Sequence, residues 1–187
     1  MDETITVSFD GGSRGNPGAA GIGVVLAAQD GTPLVTLGRY IGRATNNIAE
    51  YMALIIGLQE AGKLGAKKLL IRGDSELIIK QMRGEYRVKN PALKDLHQQA
   101  HAIAKEFEKI QFEHNVRQHN SLADRLANLA MDRKADVTEV TDESNGPGEP
   151  DDQVLACPNC GCRIEVIQPP AGGRDGYFIC RCGSAMK

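Results

Sequence analysis

A chain of 187 residues is long enough to bury one core of ordinary domain size and to leave a few dozen residues for an appendage. Hydrophobic residues at 41% and charged residues at 25% give the balance of a soluble globular protein, which excludes fibrous and wholly disordered classes. The formal net charge of −2 is unevenly spread: residues 1–135 carry 18 Lys/Arg against 15 Asp/Glu, residues 136–153 carry seven acids and no base, and residues 154–187 carry four bases against two acids. This pattern is compatible with a polyanionic partner and equally with a bland solvated surface.

Asp2 and Glu3 open the chain, and no base precedes Asp10, so the start lacks the regions of a signal peptide. No apolar run approaches the roughly 18 residues that a membrane span needs. A cytoplasmic location without membrane association is expected, and in that compartment thiols stay reduced.

Thr4 to Phe9 alternates apolar and polar residues, the period of a strand with one buried face, and Gly11-Gly12 is expected to end it. Ala20–Ala28 and Leu34–Ile41 read as two further strands, with Asp30-Gly31 as the hairpin turn. Asn46 or Asn47 is the expected cap of a helix carrying Ile48, Tyr51, Leu54, Ile55 and Leu58 at helical spacing, stopped by Gly62 and Gly65. Lys68–Ile71, ended by Gly73, predicts a buried strand. A second helix begins near Ser75 and a third at Asn90-Pro91, a cap followed by proline at the first helical position. Ile110–Val116 reads as the last strand, and Ser121–Lys134 as a helix with Leu122, Leu126 and Leu129 on one face. Three domain segments follow: a first domain over residues 1–135, an acidic flexible linker over 136–153, and a small module over 154–187.

Four acids fall where these elements end or face one another: Asp10, Glu50, Asp74 and Asp124. Singly, each reads as well as a cap or a solvated charge. Together they would form a cluster that is unfavourable unless a cation neutralises it, and hard oxygen ligands suit Mg²⁺ or Mn²⁺.

The acids sit inside four motifs: FDGGSRGNPGAAG at Phe9–Gly21, TNNIAEYMALIIGL at Thr45–Leu58, GDSELIIKQMRGEYRVKN at Gly73–Asn90, and VRQHNSLADRLANLA at Val116–Ala130. In these motifs and their order, residues 1 to about 135 resemble the type 1 ribonuclease H family. The resemblance implies an α/β fold, a five-stranded mixed sheet flanked by helices. It also implies two divalent ions, Mg²⁺ or Mn²⁺, held by Asp10, Glu50, Asp74 and Asp124. One ion would activate a water and the other would stabilise the leaving 3′ oxygen, about 4 Å away. The activity implied is endonucleolytic cleavage of the RNA strand of RNA/DNA hybrids, leaving 5′-phosphate and 3′-hydroxyl ends, by a monomer. Arg14, Asn16 and Asn47 match positions that contact nucleic acid in the family, although a turn residue and a helix cap are plain readings of the two asparagines.

Two departures from the best-studied bacterial relatives stand out. The stretch from Val116 to Asp124 is short, so His119 is the candidate for the histidine that helps product leave, against the reading of an ordinary exposed loop residue; His114 is a weaker candidate. Residues 82–96 lack an inserted basic helix, and grip on substrate falls to Arg83, Arg87, Lys89 and Lys94, with Tyr86 able to stack.

All five cysteines lie in the tail. Cys157-Pro-Asn-Cys160-Gly and Cys180-Arg-Cys182-Gly form two pairs, each followed by glycine as a turn around a metal requires. Four thiolates select Zn²⁺. The tail resembles a zinc ribbon with Cys157, Cys160, Cys180 and Cys182 as the favoured ligands and Cys162 as a fifth candidate. A redox CxxC has no surrounding βαβ unit in its favour. A nucleic acid or a protein partner fits the tail equally. Two alternatives remain beside the hybrid-specific nuclease: a broader ribonuclease that also cuts double-stranded RNA, and a non-catalytic hybrid-binding adaptor.

Overall fold

The computed structural model describes residues 3–114 and 120–138, together with the backbone of Val154–Ala156 and Arg163–Glu165. The chain divides into two compact units, Met1–Val140 and Thr141–Lys187.

In the first unit, β1 (Thr4–Gly15), β2 (Gly18–Ala27) and β3 (Pro33–Ala44) form an antiparallel meander. Helix α1 (Asn46–Lys63) then crosses to β4 (Lys68–Gly73), and α2 (Glu76–Met82) and α3 (Pro91–Ala104) lead to β5 (Lys109–His114). β4 and β5 are parallel to β1, so the sheet is mixed and five-stranded, in the order β3-β2-β1-β4-β5. Helix α4 (Ser121–Arg133) closes the unit. Alternation along β1 and β4 buries Ile5, Val7, Phe9, Leu69 and Ile71 in the same core as Tyr51, Leu54 and Leu58 of α1.

Several boundaries differ from the sequence reading. β1 does not stop at Gly11-Gly12 but runs to Gly15, because β2 pairs with it throughout, Gly11 opposite Ile22 and Gly12 opposite Gly21. Neither Asn46 nor Asn47 caps α1; the cap is Thr45, whose Oγ1 accepts from Ile48 N–H at 3.4 Å. α1 passes through Gly62 and ends at Lys63, with Gly65 at φ 69° just beyond. Asn90 does cap α3, its Oδ1 accepting from Ala92 N–H at 2.9 Å.

Val137 pairs with Gly38 of β3 and is buried, so the chain stays on the domain past residue 135. In the second unit β6 (Val154–Ala156) and β7 (Arg163–Glu165) form an antiparallel pair. Cys157, Cys160, Cys162, Cys180 and Cys182 lie outside the described residues, and so does the expected zinc ribbon.

Candidate active site

The parallel ladder between β1 and β4 ends at Phe9 opposite Gly73. The residue after each is an acid, Asp10 within β1 and Asp74 just past the end of β4, which places the two side by side. Gly11 then lets α1 come close: a Cβ there would stand 2.4 Å from Glu50 N. Glu50, one turn into α1, is thereby set against β1 beside Asp10. α4 arrives from the other face, its backbone resting on a glycine of β2; a Cβ on Gly23 would stand 1.9 Å from Ala123 O. The next residue of α4 is Asp124.

The four carboxylates line one cavity of about 270 Å³, which also meets Arg14 and Asn46. Burial, followed by the charges of Asp74, Asp124 and Glu50, pushes Asp10 from 3.8 up to about 7. Glu50 is pushed from 4.5 up to about 7, chiefly by burial and further by Asp74, against hydrogen bonds from Ser75 and Asn46 that favour its charged form. Its Oε1 accepts from Asn46 Nδ2 at 2.9 Å, whereas Oε2 is buried with no hydrogen-bond partner. Among the described residues no three His, Cys, Asp or Glu side chains are gathered as a metal cluster. An orphaned buried carboxylate oxygen amid all-oxygen donors and raised pKa values fits a hard divalent cation.

The remaining candidates are placed as follows. Arg14 lines the cavity and pairs with Asp132 of α4. Asn16 Oδ1 accepts from Asn46 N–H at 3.3 Å, tying the β1–β2 turn to the start of α1. Asn47 is not among the cavity residues; Asn46 is. The signal for Asn46 was its position one helical turn before Glu50, which brings amide and carboxylate onto one face. Asn128, one turn after Asp124, also lines the cavity and donates to Asp124 O at 3.0 Å. His114 stands at the end of β5 with Nε2 3.1 Å from Asp74 O, a bond to the main chain of a site residue. His119 lies outside the described residues. Of the basic stretch, Arg83 is taken up internally, its Nε donating to Phe112 O at 2.9 Å, while Arg87 and Lys94 line a separate hollow with Tyr86.

Residues 8–130 match the reverse transcriptase-like family. The solved N-terminal RNase H domain of Rv2228c from Mycobacterium tuberculosis is 49% identical, covers 68% of this chain and 98% of its own, and superposes with a TM-score of 0.67. RNase H1 of Halobacterium salinarum is 42% identical, covers 70% of this chain and 98% of its own, and gives a TM-score of 0.68. The chain belongs to the ribonuclease HI family. A third relative, LC11-RNase H1, solved in complex with an RNA/DNA hybrid, is 43% identical over 70% of this chain and 98% of its own, with a TM-score of 0.67. The match to the full-length bifunctional protein Rv2228c is 50% identical and spans 70% of this chain but only 36% of that protein. No helix among the described residues is long and apolar enough to cross a membrane.

Proposed function

We propose that this chain is a divalent-metal-dependent endoribonuclease that hydrolyses the RNA strand of RNA/DNA hybrids. The observation that carries this reading is the cavity lined by Asp10, Glu50, Asp74 and Asp124, in a chain whose relative LC11-RNase H1 was solved with a hybrid. Asp10, Glu50, Asp74 and Asp124 would hold two ions, Mg²⁺ or Mn²⁺. Bound there, the ions would lower the pKa of an attacking water and neutralise charge at the leaving oxygen.

The chain's own residues do the rest. Asp10 and Glu50, whose carboxyls burial raises to about 7, would release protons on holding cations. Asn46 holds Glu50 through Oε1, and the Oε2 that has no partner would be free to help hold a cation. Arg14 and Asn16, on the β1–β2 rim, would meet the RNA strand, where an amide can bond the 2′-hydroxyl that marks RNA. Water attacks phosphorus, the P–O3′ bond breaks, and the products are a 5′-phosphate and a 3′-hydroxyl.

For the tail we propose a structural Zn²⁺ bound by Cys157, Cys160, Cys180 and Cys182, in a cytoplasmic protein, on the strength of the cysteine spacing alone. Zinc content of about one ion per chain, lost on Cys157→Ser, checks it. The nuclease reading is tested by metal-dependent cleavage of end-labelled hybrid, with the Asp74→Asn variant as the negative control.

A further inference from the structure

We propose that Asn120 is a positioning residue whose buried amide fixes Asp124 against Asp10, so that the cation affinity of the site depends on it. The inference rests on the metal-dependent reading above.

Asn120 is one of few buried polar residues described in the domain, 2% exposed. Its Nδ2 donates to Phe9 O at 2.8 Å, and its own carbonyl accepts from Asp124 N–H at 3.1 Å. One residue is thus bonded through its side chain to the residue before Asp10 and through its main chain to Asp124. Asn120 also occupies the N-cap position of α4, where an asparagine usually turns its side-chain oxygen to the first-turn N–H groups. Thr45 and Asn90 do this for α1 and α3. Asn120 does not: its side chain makes no capping bond, and its Oδ1 is buried without a partner. Helix capping is forgone, and the amide crosses to β1 instead.

The bond holds the end of α4 opposite to the one that Asp132 ties to Arg14 of β1. α4 lies on Gly21, Gly23 and Gly38, where main-chain oxygens of Ala127, Ala123 and Leu126 approach to within touching distance of the missing Cβ positions. Such a bare surface sets how deep the helix sits but offers few side-chain knobs to fix where it stops along the strands. The Asn120–Phe9 bond supplies that stop at the one end of α4 that bears Asp124. Groups that orient metal ligands in this way typically shift affinity by about 10-fold to 100-fold when lost.

The test uses the full chain, with Mn²⁺ as the probe. Heat of Mn²⁺ binding that disappears in Asp10→Asn defines the site. Asn120→Asp keeps the shape but puts an acceptor against Phe9 O, and Asn120→Ala removes the group. Both should weaken Mn²⁺ binding by roughly tenfold or more and raise the Mg²⁺ concentration for half-maximal hybrid cleavage, with activity partly recovered at high Mg²⁺. Phe107→Ala, a buried residue that precedes β5 at the end away from the four acids, provides a variant that loses stability alone. If the Asn120 variants behave like Phe107→Ala, less stable but with unchanged Mn²⁺ affinity, the inference is overturned. Asp10-dependent Mn²⁺ binding in a wild type that cleaves no hybrid would remove the proposed function while the affinity ratio still decides the role of Asn120. Absence of any such binding removes both.

Discussion

A Cβ on Gly11 would stand 2.4 Å from the backbone nitrogen of Glu50, so β1 and α1 meet main chain to main chain one residue beyond Asp10. No side chain fits between them. Gly11→Ala must therefore push α1 away from the sheet, and overpacking of this kind costs about 1–3 kcal/mol. We expect a lower melting temperature and at least a tenfold loss of hybrid cleavage, since the displaced element carries Glu50. Thermal denaturation and initial rates on the same preparation check this; wild-type activity in Gly11→Ala would contradict the packing account.

Asp10→Asn and Asp74→Asn keep side-chain shape and remove a ligand charge. Both should abolish cleavage by a factor of at least a hundred while the far-ultraviolet spectrum is unchanged. Either variant cutting hybrid at the wild-type rate would show that the acid concerned is not in the site.

The raised carboxyl groups make a signed prediction about pH. Asp10 moves from 3.8 to about 7 on folding and Glu50 from 4.5 to about 7, so between those limits the folded state binds more protons than the unfolded one. Stability from these groups is therefore fully present below about pH 4 and is lost as pH rises through 7, by an amount on the order of a few kcal/mol without metal. In chelator, Asp10→Asn should melt higher than wild type at pH 7.5, and the difference should shrink toward pH 4. Added Mg²⁺ should raise the wild type and not the variant.

The gathering of the four acids was legible in part, because Glu50, Asp74 and Asp124 lie where a strand ends or a helix begins, whereas Asp10 sits inside β1. The packing that brings the acids together was not. Gly11-Gly12 reads locally as a strand terminator, yet Gly11 serves the close approach of α1, and the strand runs on beside β2. Asn46 and Asn47 are indistinguishable until the cap is known to be Thr45, which turns Asn46 toward Glu50. Asn120 carries no mark in the sequence; only the fold shows its amide reaching Phe9, 111 positions away in sequence.

Val137 marks where the domain can be cut. Gly38 N–H donates to Val137 O at 2.6 Å, Val137 N–H donates to Gly38 O at 2.7 Å, and the side chain is 5% exposed. A chain ending at residue 135 should lose about 1.5–3 kcal/mol, the worth of burying a valine, relative to one ending at residue 140. Urea denaturation of the two truncations measures the difference directly; equal midpoints would show that the pairing of Val137 with Gly38 contributes nothing.

Removing residues 141–187 deletes the tail and leaves that pairing in place. If the tail holds nucleic acid through Arg163, Arg174, Arg181 and Lys187, deletion flattens the dependence of hybrid affinity on salt, by close to one unit of slope for each phosphate that is no longer neutralised. An unchanged slope would point to a protein partner.

Whether the carboxylate cavity cuts RNA is decided by offering the full chain matched, end-labelled RNA/DNA hybrid, double-stranded RNA, single-stranded RNA and duplex DNA, each with Mg²⁺, Mn²⁺ or chelator. We predict metal-dependent cleavage of the RNA strand of the hybrid alone, with 5′-phosphate and 3′-hydroxyl ends. Cleavage of double-stranded RNA as well would make it a broader ribonuclease, and folded protein that binds hybrid but cuts nothing with either metal would contradict the catalytic account.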